Sequence, residues 1–153
     1  MKKLVVFDSQ YGNTKIIAEK IAAGAEAEII HIKDANDVIW ADLDLLIIGA
    51  PTQGGRPTQR IYELLNNMHE DDLKNTKVAA FDTRFDVTDQ GFFLKKLMGI
   101  IKYAAEKIDK LLTNKGGRPI IKPEGFFVTG KEGPLRKGEE DRAMAWGQKI
   151  ISL

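Results

Sequence analysis

Cysteine is absent from all 153 residues. Its absence removes disulfides, iron–sulfur clusters, thiolate zinc sites and cysteine nucleophiles from consideration. Histidine occurs only as His31 and His69, too few for a histidine-rich metal site, and no metal is expected. No apolar run approaches the roughly 18 residues that a membrane-spanning helix needs, so no membrane partner is expected. The opening MKKLVVFD passes from basic to apolar but stops after four apolar residues at Asp8. That is too short for the core of a signal peptide and predicts a first strand in a cytoplasmic protein. An excess of one charge sign is also missing, the net charge being +1. The lysines around residues 92–115 are not interleaved with aromatic residues as single-strand binders require. They read as a solvated helix face, and no nucleic-acid partner is expected.

What remains is an ordinary globular composition, 43% hydrophobic and 29% charged. The length suits a single domain over residues 1–153, with no linker, repeat or low-complexity tract. Short apolar runs at 4–7, 27–32, 43–50, 77–81 and 119–128 predict five buried strands. Between them lie segments of helical period. The apolar faces are Ile17, Ala18, Ile21 and Ala22 in 14–25, and Ile61, Leu64, Leu65 and Met68 in 58–68. In 92–113 the face is Phe93, Leu97, Ile101, Ala104, Ile108 and Leu111; in 138–152 it is Ala143, Trp146 and Ile150. The crossover 33–42 is only weakly helical. Strict alternation of strand and helix predicts an α/β fold: a five-stranded parallel sheet, doubly wound, with helices on both faces. Ligands of such sheets bind beyond the carboxyl ends of the strands, which singles out the loops after residues 7, 50 and 82.

The first of these loops is Ser9-Gln10-Tyr11-Gly12-Asn13-Thr14. The start of a helix offers unpaired N–H groups and a partial positive charge. Two hydroxyls and a glycine that lets the backbone approach would complete a phosphate cradle. A nucleoside-triphosphate loop is excluded because no Gly-Lys-Ser/Thr follows, and a dinucleotide fingerprint because the three-glycine spacing is missing. The alternative is that Ser9 or Asn13 only caps the helix.

Residues 5–21 resemble the phosphate signature of the flavodoxin family: two aliphatics, an aromatic, Ser/Thr after one residue, then a small residue, Thr, Ala and an aliphatic at set spacings. Val5, Val6, Phe7, Ser9, Gly12, Thr14, Ala18 and Ile21 occupy those places. The resemblance implies a flavodoxin-like three-layer sandwich holding flavin mononucleotide (FMN). Ser9, Gln10, Tyr11, Gly12, Asn13 and Thr14 would anchor its phosphate through neutral donors. The segment Pro51-Thr52-Gln53-Gly54-Gly55 is similar to the family's first ring loop, where a peptide next to a glycine can turn its carbonyl toward N5 of the reduced flavin. Asp82, Thr83, Arg84 and Phe85 fall at the second ring loop. The first three suit the pyrimidine edge, and Phe85 suits stacking on the ring.

Two departures stand out. The family commonly sandwiches the ring between Trp and Tyr, whereas these loops offer Gln53 and Phe85, which predicts weaker stacking. Its low-potential members are also strongly acidic, whereas this chain is near neutral and carries Arg56 and Arg84 in the ring loops. One cation about 7 Å from a flavin, at an effective dielectric near 20, is worth about 2.4 kcal/mol, or about 0.1 V per electron. A raised potential for full reduction is therefore expected. The resemblance implies an electron carrier serving redox partner proteins, with no catalytic side chain. The alternatives are an FMN-dependent NAD(P)H quinone or flavin reductase, and an interaction module that has lost FMN. A response-regulator-like module is disfavoured because the third strand ends Ile48-Gly49-Ala50-Pro51, without an acceptor aspartate. The 128–146 stretch resembles a tail common in flavodoxin-domain proteins and is assigned no chemistry.

Overall fold

A computed structural model describes residues 1–85 and 102–153. Strand β1 (Lys3–Phe7) leads to helix α1 (Asn13–Ala25), and β2 (Glu28–His31) leads to two short 3-10 turns at Ile32–Asp37 and Trp40–Asp42. Then follow β3 (Leu45–Pro51), α2 (Gln59–Asn67) and β4 (Lys77–Phe85), with α3 (Ala104–Asn114), β5 (Arg118–Pro119), β6 (Glu124–Val128) and α4 (Glu139–Ile151) completing the chain. The sheet runs β2-β1-β3-β4-β5, every pairing parallel, with β6 also pairing β4. None of the described helices is long and apolar enough to cross a membrane.

Alternation along the buried strands sends successive side chains to opposite faces. Leu4, Val6, Leu46, Ile48, Val78 and Ala80 join Ile61 and Leu65 of α2 and Ile108 and Leu112 of α3 in one core. Val5, Phe7, Ile47, Ala79 and Phe81 join Ile17 and Ile21 of α1 and Trp146 of α4 in the other. The sheet is thus covered on both faces, which is why its strands read as continuous apolar runs.

Three elements differ from the sequence expectation. The fourth strand runs to Phe85 rather than ending at residue 81, because Asp82–Phe85 pair with Gly125–Val128 of β6. The expected fifth strand is two pieces lying on the same neighbour: β5 meets the start of β4 and β6 meets its end. Pro123, which has no N–H to give to a ladder, lies in the gap between them. In the helix expected over 92–113, Phe93, Leu97 and Ile101 lie outside the described residues; Lys102 and Tyr103 are not helical, Tyr103 being extended at the N-cap of α3, whereas Ala104 and Ile108 are buried as predicted.

Helices α1 and α4 touch backbone to backbone. A Cβ on Gly24 would fall 2.1 Å from the Met144 carbonyl oxygen, and one on Gly147 would fall 2.4 Å from that of Ile21. At the start of α4, buried Glu139 accepts from the Phe127 N–H (2.7 Å) and from Arg142 Nε and Nη2 (2.9 and 2.7 Å). Burial alone would raise the Glu139 carboxyl, but these bonds outweigh it and the net shift is downward. A depressed folded value contributes stability that is present above the unfolded glutamate range and lost as pH falls through the folded value. Acid titration of unfolding should therefore show a loss below about pH 4.5 that is smaller in Glu139→Gln; identical acid limbs would refute the assignment.

Candidate functional site

The carboxyl ends of β1, β3, β4 and β6 converge on one cleft. It is lined by Gln10, Tyr11, Asn13, Thr14, Pro51, Thr52, Thr83, Arg84, Phe85, Val128 and Lys131. Each of the three loops selected from the sequence contributes to it. Ser9, Gly12, Gln53, Gly54, Gly55 and Asp82 are not among its lining residues.

Gly12 sits at the N-cap of α1 with φ +97, a backbone state that favours glycine. The helix has no side-chain cap and no acidic residue in its first turn, so its leading N–H groups lack the usual negative partner. Ser9 does not cap the helix start; its Oγ accepts from the Gly12 N–H at 3.1 Å and so shapes the loop. Asn13 reaches the loop after β6, its Nδ2 donating to the Glu132 carbonyl at 3.1 Å. Thr14 is buried, and its hydroxyl meets that of Thr83 at 2.8 Å. Whichever of the two donates, one hydroxyl hydrogen of the pair remains for another acceptor.

The first ring loop is a tight reversal. Gln53 and Arg56 exchange backbone bonds (2.8 and 3.1 Å) around Gly54 and Gly55, both at positive φ as a two-residue hairpin turn requires. Gln53 Nε2 donates to Gln10 Oε1, joining this loop to the first. Thr52 Oγ1 accepts from the Ala104 N–H (3.0 Å), and its own N–H reaches the Thr83 carbonyl (2.9 Å). Arg56 is exposed.

The second ring segment is strand rather than loop, and strand parity decides what each side chain can reach. Thr83 points toward α1 and the cradle. Asp82 and Arg84 point to the other face. Asp82 is fully buried and accepts from Arg84 Nε (2.7 Å), Arg84 Nη2 (2.8 Å) and the Ala105 N–H (2.9 Å). Burial pushes the Asp82 carboxyl up, with Arg84 opposing. Arg84 also stacks on the Tyr103 ring (3.7 Å) and faces Glu106 at 3.8 Å. The carboxylate of Asp82 is therefore committed to Arg84 and the start of α3 rather than to a pyrimidine edge. The charge of Arg84 is offset locally, so of the two arginines counted in the sequence Arg56 is the one left to support the expected rise in potential. Phe85 and Tyr11, 51% and 41% exposed, are apolar surfaces at the mouth of the cleft.

Four residues outside the expected site set matter here. Asp8, at the end of β1, is buried and accepts from Arg60 (2.8 and 3.2 Å), Thr58 Oγ1 (2.6 Å) and the Ser9 N–H (2.9 Å). It ties the root of the cradle to the start of α2. His31 Nε2 stands 3.6 Å from the same carboxylate, while its Nδ1 accepts from the Lys33 N–H; burial lowers the imidazole's pKa, and Asp8 only partly offsets this. Val128 and Lys131 enter from the end of β6. The rule that ligands sit beyond strand ends applied to that loop as well, and was the available signal. A wider groove lined by Lys33, Trp40, Glu63, Met68 and His69 contains none of the expected site residues.

A doubly wound parallel α/β sheet with an uncapped helix start at its carboxyl edge places the chain in the class of open α/β folds whose cleft lies beyond the strand ends. Residues 5–146 match the family described as Flavodoxin. The chain is 27% identical to a flavodoxin of Maridesulfovibrio salexigens, over 97% of this chain and 96% of that one. It is 42% identical to a flavodoxin of Aquifex aeolicus over 62 residues, 35% of this chain and 32% of that relative's length. Oxidised flavodoxin 1 of Bacillus cereus superposes with a TM-score of 0.73 at 18% identity, covering 99% of this chain and 98% of that one. The chain belongs to the flavodoxin family.

Proposed function

We propose that this protein binds FMN in the cleft at the carboxyl edge of the sheet and carries electrons between redox partner proteins. The observation that carries the reading is the first turn of α1, which has no cap and no acid and opens beside the paired hydroxyls of Thr14 and Thr83. The donor set fits a phosphate: orphan N–H groups, a glycine at positive φ, and a hydroxyl hydrogen left over from the threonine pair. The family match supports a flavin as the group so held.

The flavin would supply the redox chemistry. This chain's residues would bind and orient it. Gly12, Asn13 and Thr14 present the first turn of α1 to the phosphate, with Ser9 holding the turn in shape. Pro51–Gly55 flank the ring, where the Gly54-Gly55 turn leaves peptide orientations open. Tyr11 and Phe85 shield its faces from water. Transfer of single electrons needs no general base, and none is assigned.

Titration of the cofactor-stripped protein with FMN should give a saturable shift of the visible flavin bands. Thr14→Val keeps the shape but removes one hydroxyl of the pair, and should weaken binding about tenfold. No shift at tens of micromolar FMN would end the reading. Oxidation of NADPH by the loaded protein alone would move it to a reductase.

A further inference from the structure

Residues 9–14 contain no cation, and Lys15, the next residue, is exposed with its ammonium toward Glu19 at 3.9 Å. Yet a cation lines the same cleft as Asn13 and Thr14: Lys131, from the loop that follows β6. That loop is held in place at several points. The Thr129 N–H and Oγ1 both donate to the Pro134 carbonyl (2.8 Å each), and the Gly133 N–H closes on the Gly130 carbonyl at 3.0 Å. The Arg136 N–H reaches the Phe127 carbonyl at 2.9 Å. The far side of the loop is fastened to the cradle itself, through Asn13 Nδ2 on the Glu132 carbonyl. Gly133 packs so closely there that a Cβ would lie 2.6 Å from Asn13 Oδ1. Lys131, next to Glu132, is thereby carried to the cradle. Among the described residues it forms no ion pair.

We propose that Lys131 is a phosphate-recognising residue of this cleft, supplying the positive charge that the neutral cradle lacks and selecting phosphorylated over unphosphorylated flavin. The proposal rests on the FMN reading above. A phosphate monoester carries about −1.5 to −2 charges near neutral pH. A lysine ammonium on a flexible stem meets such a group as a compact point charge with three donors. Because Lys131 is exposed, its attraction is screened by salt.

The test is a set of titrations of stripped wild-type, Lys131→Gln, Lys131→Arg and Lys137→Gln with FMN and with riboflavin. Lys131→Gln should weaken FMN about tenfold at low ionic strength, equivalent to about 1.4 kcal/mol, and leave riboflavin within about twofold. The deficit should shrink toward 1 M salt, where the Debye length is about 3 Å. Lys131→Arg should keep most of the affinity. Lys137 is exposed on the same loop and outside the cleft lining, so its variant should match wild type. Unchanged FMN affinity in Lys131→Gln, an equal loss for riboflavin, or an equal loss in Lys137→Gln would overturn the proposal while leaving FMN binding intact. If wild type binds neither flavin, the functional reading fails. Inorganic phosphate followed by the amide NMR shifts of Gly12–Thr14 then tests Lys131 alone. Weaker phosphate binding in Lys131→Gln would uphold its role, and equal binding would refute it.

Discussion

Asp82→Ala should lower the unfolding free energy by about 3–5 kcal/mol, the range for removing one partner of a buried ion pair. Arg84 is only 11% exposed on its side chain and would be left facing the Tyr103 ring and Glu106 at 3.8 Å. Glu106 is itself 57% exposed and cannot replace a carboxylate bonded at 2.7 and 2.8 Å. The same substitution strips the Ala105 N–H of its partner at the start of α3. Asp82→Asn keeps an acceptor oxygen and should lose less, consistent with a carboxyl whose ionised form burial disfavours. Asp82→Ala combined with Arg84→Met should recover much of the loss, because the second change removes the stranded charge. Chemical denaturation of the four proteins gives the cycle. A deficit below about 1 kcal/mol in Asp82→Ala would mean that Arg84 escapes to water, and that the pair does not hold the cleft wall.

The second large effect lies on the opposite face of the sheet. Gly24→Ala should destabilise by about 3 kcal/mol, the upper end of the overpacking range. In an ordinary helix interior the same change would stabilise by about 0.5–1 kcal/mol, so the sign alone is informative. The new methyl would meet the Met144 carbonyl oxygen, a backbone atom that cannot rotate away, so α4 must shift as a body. Gly147→Ala presses on the Ile21 carbonyl across the same contact. Once the helices have separated for one methyl the other fits at little further cost, so the double variant should fall well short of additivity. Thermal or urea unfolding decides the matter. A neutral or stabilised Gly24→Ala would show that the two helices do not pack so closely.

Much of this was legible in the sequence, and what was not has identifiable causes. Helix α1 and the turn before it could be read because Ile17 and Ile21 keep helical period directly after a glycine-bearing turn. The cores were legible because parallel strands covered on both faces are apolar throughout. The end of β4 was not, since Asp82 and Arg84 look like loop residues unless each is known to neutralise the other. That pairing also changes the electrostatic expectation, as an arginine counted in the sequence as a free charge beside an expected flavin turns out to be half of a pair. Asp8 and Arg60 were invisible for a different reason: they stand 52 positions apart, and neither fills a specified place in a motif. Lys131 belongs to no motif, and the one mark it carries is the position of its loop, after β6 at the same edge of the sheet. The break between β5 and β6 carried a mark, Pro123, inside an otherwise apolar run.

The two apolar clusters have a consequence for how this protein can be observed. The sheet acts as a partition, and the chain has one tryptophan for each compartment. Trp146 lies against Phe81 and Phe126 on one side, with ring centroids 6.4 and 6.2 Å away. Trp40 packs, half-buried, against the cluster on the other. The cleft draws Thr14 from the first compartment's helix and Arg84 from the second compartment's face of β4. Fluorescence from Trp40→Phe and Trp146→Phe variants therefore watches each layer separately. Between them, the molecule carries its own pair of gauges, one on either side of the wall whose edge forms the cleft.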